Sequence, residues 1–258
     1  MKTIWSKEED ALLIKLCTKV GYKDLVELFP NHTQDALRNR VYQLKKEERN
    51  YLVNHELDQP SILIFDIENT PMKVDVWGLK NDYISPTYIN EDYILLSWSA
   101  KWYGSDKILS DVLTPSEAKR HTDKRISKSL WTLIDMCDIL LGHNSVKFDE
   151  KKINTRFLIN KLSPPRPHKS IDTLRVVRSG FGFSSNKLEY LCSQLEIDHK
   201  TDPGGYETWK ECRKGNPEAL QSMVTYNQND VRITEELFNE LRDWMKIIPS
   251  KPKWGWKN

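Results

Sequence analysis

Four carboxylates and one phenol carry the sequence's chemical potential. Asp66 and Glu68 close an apolar, β-prone run, Ser61-Ile62-Leu63-Ile64-Phe65. Side chains alternate across a strand, so residues two apart point to the same face, and Ile67 points to the other. Two carboxylates on one face repel unless a cation lies between them. A hard divalent ion such as Mg²⁺ or Mn²⁺ suits such oxygen donors. Alone, this D-x-E is a weak signal, because most such pairs are exposed strand ends. A third acid, Asp149, closes the polar run Gly142-His143-Asn144-Ser145-Val146-Lys147-Phe148-Asp149, which follows the apolar Asp138-Ile139-Leu140-Leu141. Tyr226 and Asp230 stand four residues apart in a helical pattern and share one helical face.

These residues need particular elements to hold them. Ser61–Phe65 predicts a buried strand ending in the two acids, and Lys73–Leu79 and Tyr93–Lys101 predict two more. A helical segment is expected to follow up to Cys137, then the strand Asp138–Leu141, with Asp149 where a helix begins. Asp172 ends a further strand, where it is structural or functional. Near the C-terminus Ile233, Leu237, Phe238 and Leu241 form the packed side of the helix carrying Tyr226 and Asp230. Phe148 is expected to pack under the site.

Together the three segments resemble the DEDD superfamily of 3′-to-5′ exonucleases, in its tyrosine branch (DEDDy). Asp66 and Glu68 match the first motif, Asn144 to Phe148-Asp149 the second, and Tyr226 with Asp230 the third, across roughly residues 61–245. The resemblance implies an α/β, ribonuclease-H-like fold, a mixed sheet flanked by helices. It also implies hydrolysis of phosphodiesters from a 3′ end by two Mg²⁺ or Mn²⁺ ions about 4 Å apart. In this family pattern Asp66 touches both ions, Glu68 and Asp230 complete the site that activates water, and Asp149 supports the second ion. Tyr226 and Glu68 orient the nucleophile. With an ordinary phenol pKa near 10, Tyr226 serves as a hydrogen-bonding group rather than a strong base. Thr70, Asn144 and the Ser179–Asn186 loop are candidate sugar or phosphate contacts. Trp209, Trp254 and Trp256 are read as packing residues first and base-stacking residues second.

Ahead of this body lies a small head. Ser6 caps a helix with Glu8 and Glu9 in its first turn, followed by Ala11, Leu12, Ile14 and Leu16. Gly21 breaks the chain, Leu25, Leu28 and Phe29 mark a second helix, and Thr33 caps a third. On the third, Ala36, Leu37, Val41 and Leu44 face inward, while Gln34, Arg38, Arg40, Lys45 and Lys46 face mostly outward. With Trp5, this small all-α three-helix domain resembles the Myb/SANT-like helix-turn-helix family. In that family the third helix enters a DNA groove, which makes Gln34, Arg38, Asn39, Arg40 and Lys45 the nucleic-acid candidates. The alternatives are a merely solvated basic face or a protein ligand. The expected organisation is residues 1–50 as head, 51–60 as linker and 61–258 as nuclease body.

Composition narrows the classes. With 258 residues, 38% hydrophobic and 29% charged, the chain has the balance of a globular protein of one or two domains. Its longest apolar runs fall short of the roughly 20 residues a bilayer span needs, so no membrane partner is expected. Lys plus Arg at 39 against Asp plus Glu at 37 gives +2, so any nucleic-acid footprint must be local. Cys17, Cys137, Cys192 and Cys212 form no C-x-x-C pair. With charges at Lys7 to Asp10, this predicts reduced cysteines and a cytoplasmic location. The leading expectation is a metal-dependent exonuclease on single-stranded DNA 3′ ends, with duplex DNA at the head. RNA cleavage, structure-selective cleavage and a DNA-binding regulator with an inactive body are the alternatives. No replication or repair partner is specified.

Overall fold

The computed structural model describes residues 5, 9–10, 13, 22–44, 60–80, 83–197 and 204–245. The chain divides into two compact units, Met1–Gln59 and Pro60–Asn258. Among the described residues no helix is long and apolar enough to cross a membrane.

In the first unit, residues 9, 10 and 13 are helical, and α1 (Tyr22–Leu28) and α2 (residues 34–44) follow. Leu13, Leu25, Phe29, Leu37 and Val41 form its core, with Trp5 and Leu44 packed against it. Leu28, by contrast, is exposed. The Thr33 hydroxyl accepts the Ala36 N–H at 3.2 Å and opens α2 as its sequence predicts. Trp5 stacks on His32 at 3.7 Å, and His32 Nε2 meets Glu9 Oε1 at 3.1 Å. The predicted cap Ser6, the residues Ala11, Leu12, Ile14, Leu16 and Gly21, the basic Lys45 and Lys46, and the linker up to residue 59 lie outside the described residues.

The second unit is built on a five-stranded sheet ordered β5-β4-β1-β6-β7, from β1 (Ile62–Asn69), β4 (Leu95–Trp102), β5 (Ile108–Val112), β6 (Ile139–Gly142) and β7 (Lys169–Asp172). β1 pairs antiparallel with β4, which pairs antiparallel with β5; β1–β6 and β6–β7 are parallel. The sheet is therefore mixed, and the three parallel strands end on the same side. Between β1 and β4 the chain makes a small ribbon of β2 (Lys73–Val74) and β3 (Ile89–Glu91). The strand expected over Lys73–Leu79 shrinks to these first two residues. Trp77 and Leu79 stand in solvent, where no second strand buries them.

Helices cover both faces. On one, Leu63, Phe65, Ile67, Trp98 and Ala100 pack with α4 (Lys124–Ile134) and α5 (Asp149–Ile159) through Ile126, Leu130, Ile153 and Phe157. On the other, Ile64, Ile139, Leu141 and Ile171 meet Val231 and Phe238 of α9 (Pro217–Arg242). Pro217 at its first turn and Asn216, whose side chain accepts the Glu218 and Ala219 N–H groups, start this long helix. Ile233, Leu237 and Leu241 also hold α6 (Thr173–Gly180) and α7 (Leu188–Gln194). The segment read as helical up to Cys137 contains β5 and the short α3 (Pro115–Lys119) before α4. β5 escapes a periodicity reading because Ser110 and Asp111 interrupt a run of only five residues on a sheet edge. α8 (Tyr206–Lys214) ends at Gly215, whose φ of 78° and close approach to Pro115 O leave no room for a side chain.

Candidate active site

β1 continues through the acids to Asn69 rather than stopping at Phe65, so Asp66 and Glu68 are strand residues. Their neighbours on β4 are Ser99 and Ser97, and this polar patch faces α9. Asn227 of α9, fully buried, donates its Nδ2–H to Asp66 Oδ2 and accepts Ser97 Oγ–H at 3.4 Å. Two other buried polar groups on this face are also matched. Lys101 pairs with Glu235, and Ser99 bonds Ser110 at 2.9 Å. The sheet face is thus apolar at Ile64 and polar at Asp66 and Glu68, and α9 follows the same division.

Glu68 is held from the side by α8. Trp209 donates its indole Nε1–H to Glu68 Oε2 at 3.2 Å and meets the Tyr226 ring edge-on at 6.3 Å. Burial, with the nearby Glu68 charge adding to it, pushes the Cys212 thiol up to about 12, so this sulfur is chemically inert. Trp209 is a site residue the sequence reading placed among packing residues. Asp230 lies one turn beyond Tyr226 on α9, and both are buried.

Asp149 arrives from the other side. β6 ends at Gly142, where an added Cβ would meet Ser145 Cβ at 2.6 Å and Phe65 O at 3.3 Å. Only glycine lets the following loop fold this tightly against the strand carrying Asp66. Asn144 then adopts a left-handed φ of 63° and donates its N–H to Asp172 Oδ1 at 2.9 Å. Asp172 also caps α6 through the Leu174 N–H. His143 sets one ring nitrogen on Thr173 Oγ1 at 2.9 Å and the other on Asn186 O at 3.1 Å. α5 begins at Asp149, only 6% exposed. Burial pushes its carboxyl up to about 7; its own backbone N–H pulls the other way, and the charges of Glu68, Asp172 and Glu150 add to the rise.

Several expected contacts fall elsewhere. The Thr70 hydroxyl does not face a substrate surface: it is 3% exposed and accepts the Ile94 N–H at 3.0 Å, where it ties the ends of β1 and β4. Phe148 is not packed under the site; it is 49% exposed, with Lys152 Nζ 5.0 Å from its ring. In the head, Arg40 forks onto Asp10 at 2.8 and 2.6 Å, Arg38 and Asn39 are exposed, and Gln34 is half-buried. Trp254 and Trp256 lie outside the described residues.

The donor set is chemically suited to a hard cation: all oxygen, with Asp149 and Asp230 both buried and the charge of Asp149 costly to keep. Among the described residues no three carboxylate, imidazole or thiol groups close tightly on one point. Asp66 is instead turned to Asn227, and Glu68 to Trp209.

A mixed five-stranded sheet with carboxylates at the ends of its parallel strands defines a ribonuclease-H-like protein. The chain belongs to the RNase H superfamily: residues 100–242, more than half of the sequence, match its RNase_H_2 family. That match includes Asp149, Tyr226 and Asp230 and begins after β1. A segment of 64 residues is 38% identical to the PolC-type DNA polymerase III of Ureaplasma parvum serovar 3, spanning 25% of this chain and 4% of that protein. The family B DNA polymerase of the hyperthermophilic archaeon Pyrobaculum calidifontis shares the fold, with a TM-score of 0.52 at 16% identity over 71% of this chain and 24% of that one.

Proposed function

We propose that the protein is a metal-dependent 3′-to-5′ exonuclease of the tyrosine-type DEDD branch, acting on single-stranded DNA ends. The observation that carries this reading is the buried Asp149 beside Glu68, on the strand whose Asp66 faces the helix of Tyr226 and Asp230. Membership of the RNase H superfamily supports a nuclease. In this reading Asp66, Glu68, Asp149 and Asp230 hold two Mg²⁺ or Mn²⁺ ions, whose charge, when bound, stabilises the attacking and leaving oxygens. The Tyr226 phenol hydrogen-bonds the attacking water, and Glu68 accepts from it. Asn227 and Trp209 satisfy the two strand carboxylates in the metal-free protein and would share them with the ions once bound.

The head is assigned to duplex DNA, with the exposed Arg38 and Asn39 as its first contacts. In the full chain, Arg38→Glu should weaken duplex binding and leave cleavage of short single strands intact. The reading also places the protein in the cytoplasm, consistent with the buried thiols of Cys137 and Cys212.

The test is a 5′-labelled single strand, as DNA and as RNA of the same sequence. A ladder shortening from the 3′ end, dependent on Mg²⁺ or Mn²⁺, stopped by EDTA and abolished by Asp66→Ala in folded protein, is expected on DNA. Faster RNA cleavage would shift the substrate class. Internal fragments would replace the exonuclease with an endonuclease, and undiminished turnover by the Asp66→Ala protein would remove the metal assignment.

A further inference from the structure

The helix that aims Trp209 at Glu68 has little apolar anchorage. In α8 only Cys212 is buried, and the helix starts at Gly205, which supplies no side-chain cap. Lys210 and Lys214 face outward and pair along the helix with Glu207 and Glu211. One buried thiol and a half-buried indole leave the rotation of a nine-residue helix poorly determined. Polar bonds on its inner face must supply what packing does not.

Arg213 makes such bonds. It follows Trp209 by four residues, so the two side chains share one face, roughly 6 Å apart along the axis. Its side chain is 11% exposed, with Nη1–H donating to Pro71 O at 2.9 Å and Nη2–H donating to Glu91 Oε2. Glu91 also takes Lys73 Nζ at 2.6 Å. The Lys73 bond first and the Arg213 bond second hold its carboxyl down at about 2, so it stays ionised and keeps both partners.

Pro71 and Glu91 stand where the chain leaves β1 and where it returns toward β4. Thr70 closes this root, its N–H on Ile94 O at 2.9 Å and its hydroxyl oxygen accepting the Ile94 N–H at 3.0 Å. The guanidinium therefore grips backbone that is continuous with Glu68, three residues before Pro71. α8 is thus attached to the end of β1 at two points, Trp209 on Glu68 and Arg213 on Pro71. Two points define an orientation that one leaves open.

We propose that Arg213 is a positioning residue of the candidate active site: it clamps α8 onto the root of the β2–β3 ribbon and so sets the direction of the Trp209 N–H and, through it, of Glu68. The effect on turnover rests on the exonuclease reading above, whereas the clamp is a property of the metal-free protein.

Two measurements on the full chain test it. The first is the indole N–H spectrum of protein carrying ¹⁵N-labelled tryptophan, in EDTA, with the Trp209 signal assigned by its loss in Trp209→Phe. Arg213→Met keeps the aliphatic stem and removes both bonds. It should move that signal upfield as the bond to Glu68 lengthens, and speed its exchange with solvent about tenfold or more. Arg213→Lys keeps the charge but not the fork; it should produce a smaller shift in the same direction, and it decides the question if the methionine protein does not fold. Lys73→Met removes the other partner of Glu91 and should leave the signal in place. The second measurement is a double-mutant cycle on kcat for the labelled single strand. Arg213→Met should lower kcat about fivefold with KM within about twofold. In the Trp209→Phe background the same change should cost less than about twofold, because the bond it orients is gone. Lys73→Met should keep the wild-type kcat. A Trp209 signal unmoved by the Arg213 variants overturns the proposal. So does a kcat loss that multiplies fully with that of Trp209→Phe, which would make the arginine a support of the fold alone. If the wild type cleaves nothing, the exonuclease reading falls, and the indole signal still decides the clamp.

Discussion

Replacing Asp149 by asparagine should make the metal-free protein more stable while destroying its chemistry, and the gain should depend on pH. The carboxyl moves from an ordinary value of 3.8 to about 7 on folding, so the native state binds its proton more tightly than the unfolded chain. Between those values the folded form holds a proton that the unfolded form has released. Stability from this group therefore falls as pH rises through the window, and the full cost is reached above about pH 7. At about 1.4 kcal/mol per pH unit, the cost grows from about 1.6 kcal/mol at pH 5 to about 4 kcal/mol at pH 8. The asparagine amide carries no charge and escapes both. The advantage of Asp149→Asn should then be about 2.5 kcal/mol larger at pH 8 than at pH 5. For a unit of this size that is about 5–10 °C in the difference of melting temperatures. The assay is thermal denaturation of both proteins in EDTA at the two pH values, followed by circular dichroism. Mg²⁺ at pH 8 should raise the melting temperature of the wild type and leave the variant nearly unmoved. An identical gap at both pH values would refute the claim that burial and the facing Glu68, Asp172 and Glu150 charges load this carboxyl.

Three further substitutions probe the scaffold around it. Asp123, almost fully buried, accepts a bidentate bond from Arg156 at 2.6 and 2.8 Å and further bonds from Asn160 and the Leu95 N–H; burial pushes its carboxyl up, yet these donors hold it below the usual range. Arg156→Met should cost about 3–5 kcal/mol in urea unfolding, and a loss under about 1 kcal/mol would show that the remaining donors suffice. Gly142→Ala should cost about 1–3 kcal/mol and depress turnover, because its Cβ would meet Ser145 Cβ at 2.6 Å. Adding Ser145→Gly should recover part of both, and strict additivity would exclude the clash as the cause. Trp209→Phe keeps the ring against Tyr226 but removes the donor to Glu68; kcat should fall about tenfold with little change in KM, and an unchanged kcat would show that the indole only packs.

How far the fold could be read beforehand depended on the range of each interaction. The common face of Asp66 and Glu68 follows from strand alternation, and the core side of α9 from a 3.6-residue period at Ile233, Leu237 and Leu241; both are local signals. Asp149 at a helix start was equally legible, since an apolar strand emptied into a polar loop before it. The bond from Trp209 to Glu68 spans 141 residues and leaves no mark in either neighbourhood. Phe148 defeated the pattern differently. It is apolar and next to a buried acid, yet the turn that sends Asp149 inward turns its neighbour outward. Asn227 did leave a signal: a polar residue between Met223, Val224 and Val231 on an otherwise buried helical side, which demands a polar partner. Finding Asp66 as that partner required the pairing of β1 with the α9 face.

That pairing also explains why one helix carries both packing and chemistry. The C-terminal half of α9 is fixed by Val231, Ile233, Leu237, Phe238 and Leu241 against the sheet and two further helices. Tyr226, Asn227 and Asp230 lie immediately N-terminal to these anchors, so their positions follow from core packing rather than from a loop. Packed cores deform little, and a rigid helix transmits its register along its length. The carboxylates opposing this segment repel one another, and a loop carrying Asp149 alone would relax away from them. The tight turn at Gly142, the Asn144–Asp172 bond and the burial of α5 through Ile153 and Phe157 oppose that relaxation. The unfavourable charge at Asp149 is therefore held in place by contacts that are themselves apolar or fully hydrogen-bonded, and it remains available for a cation to relieve.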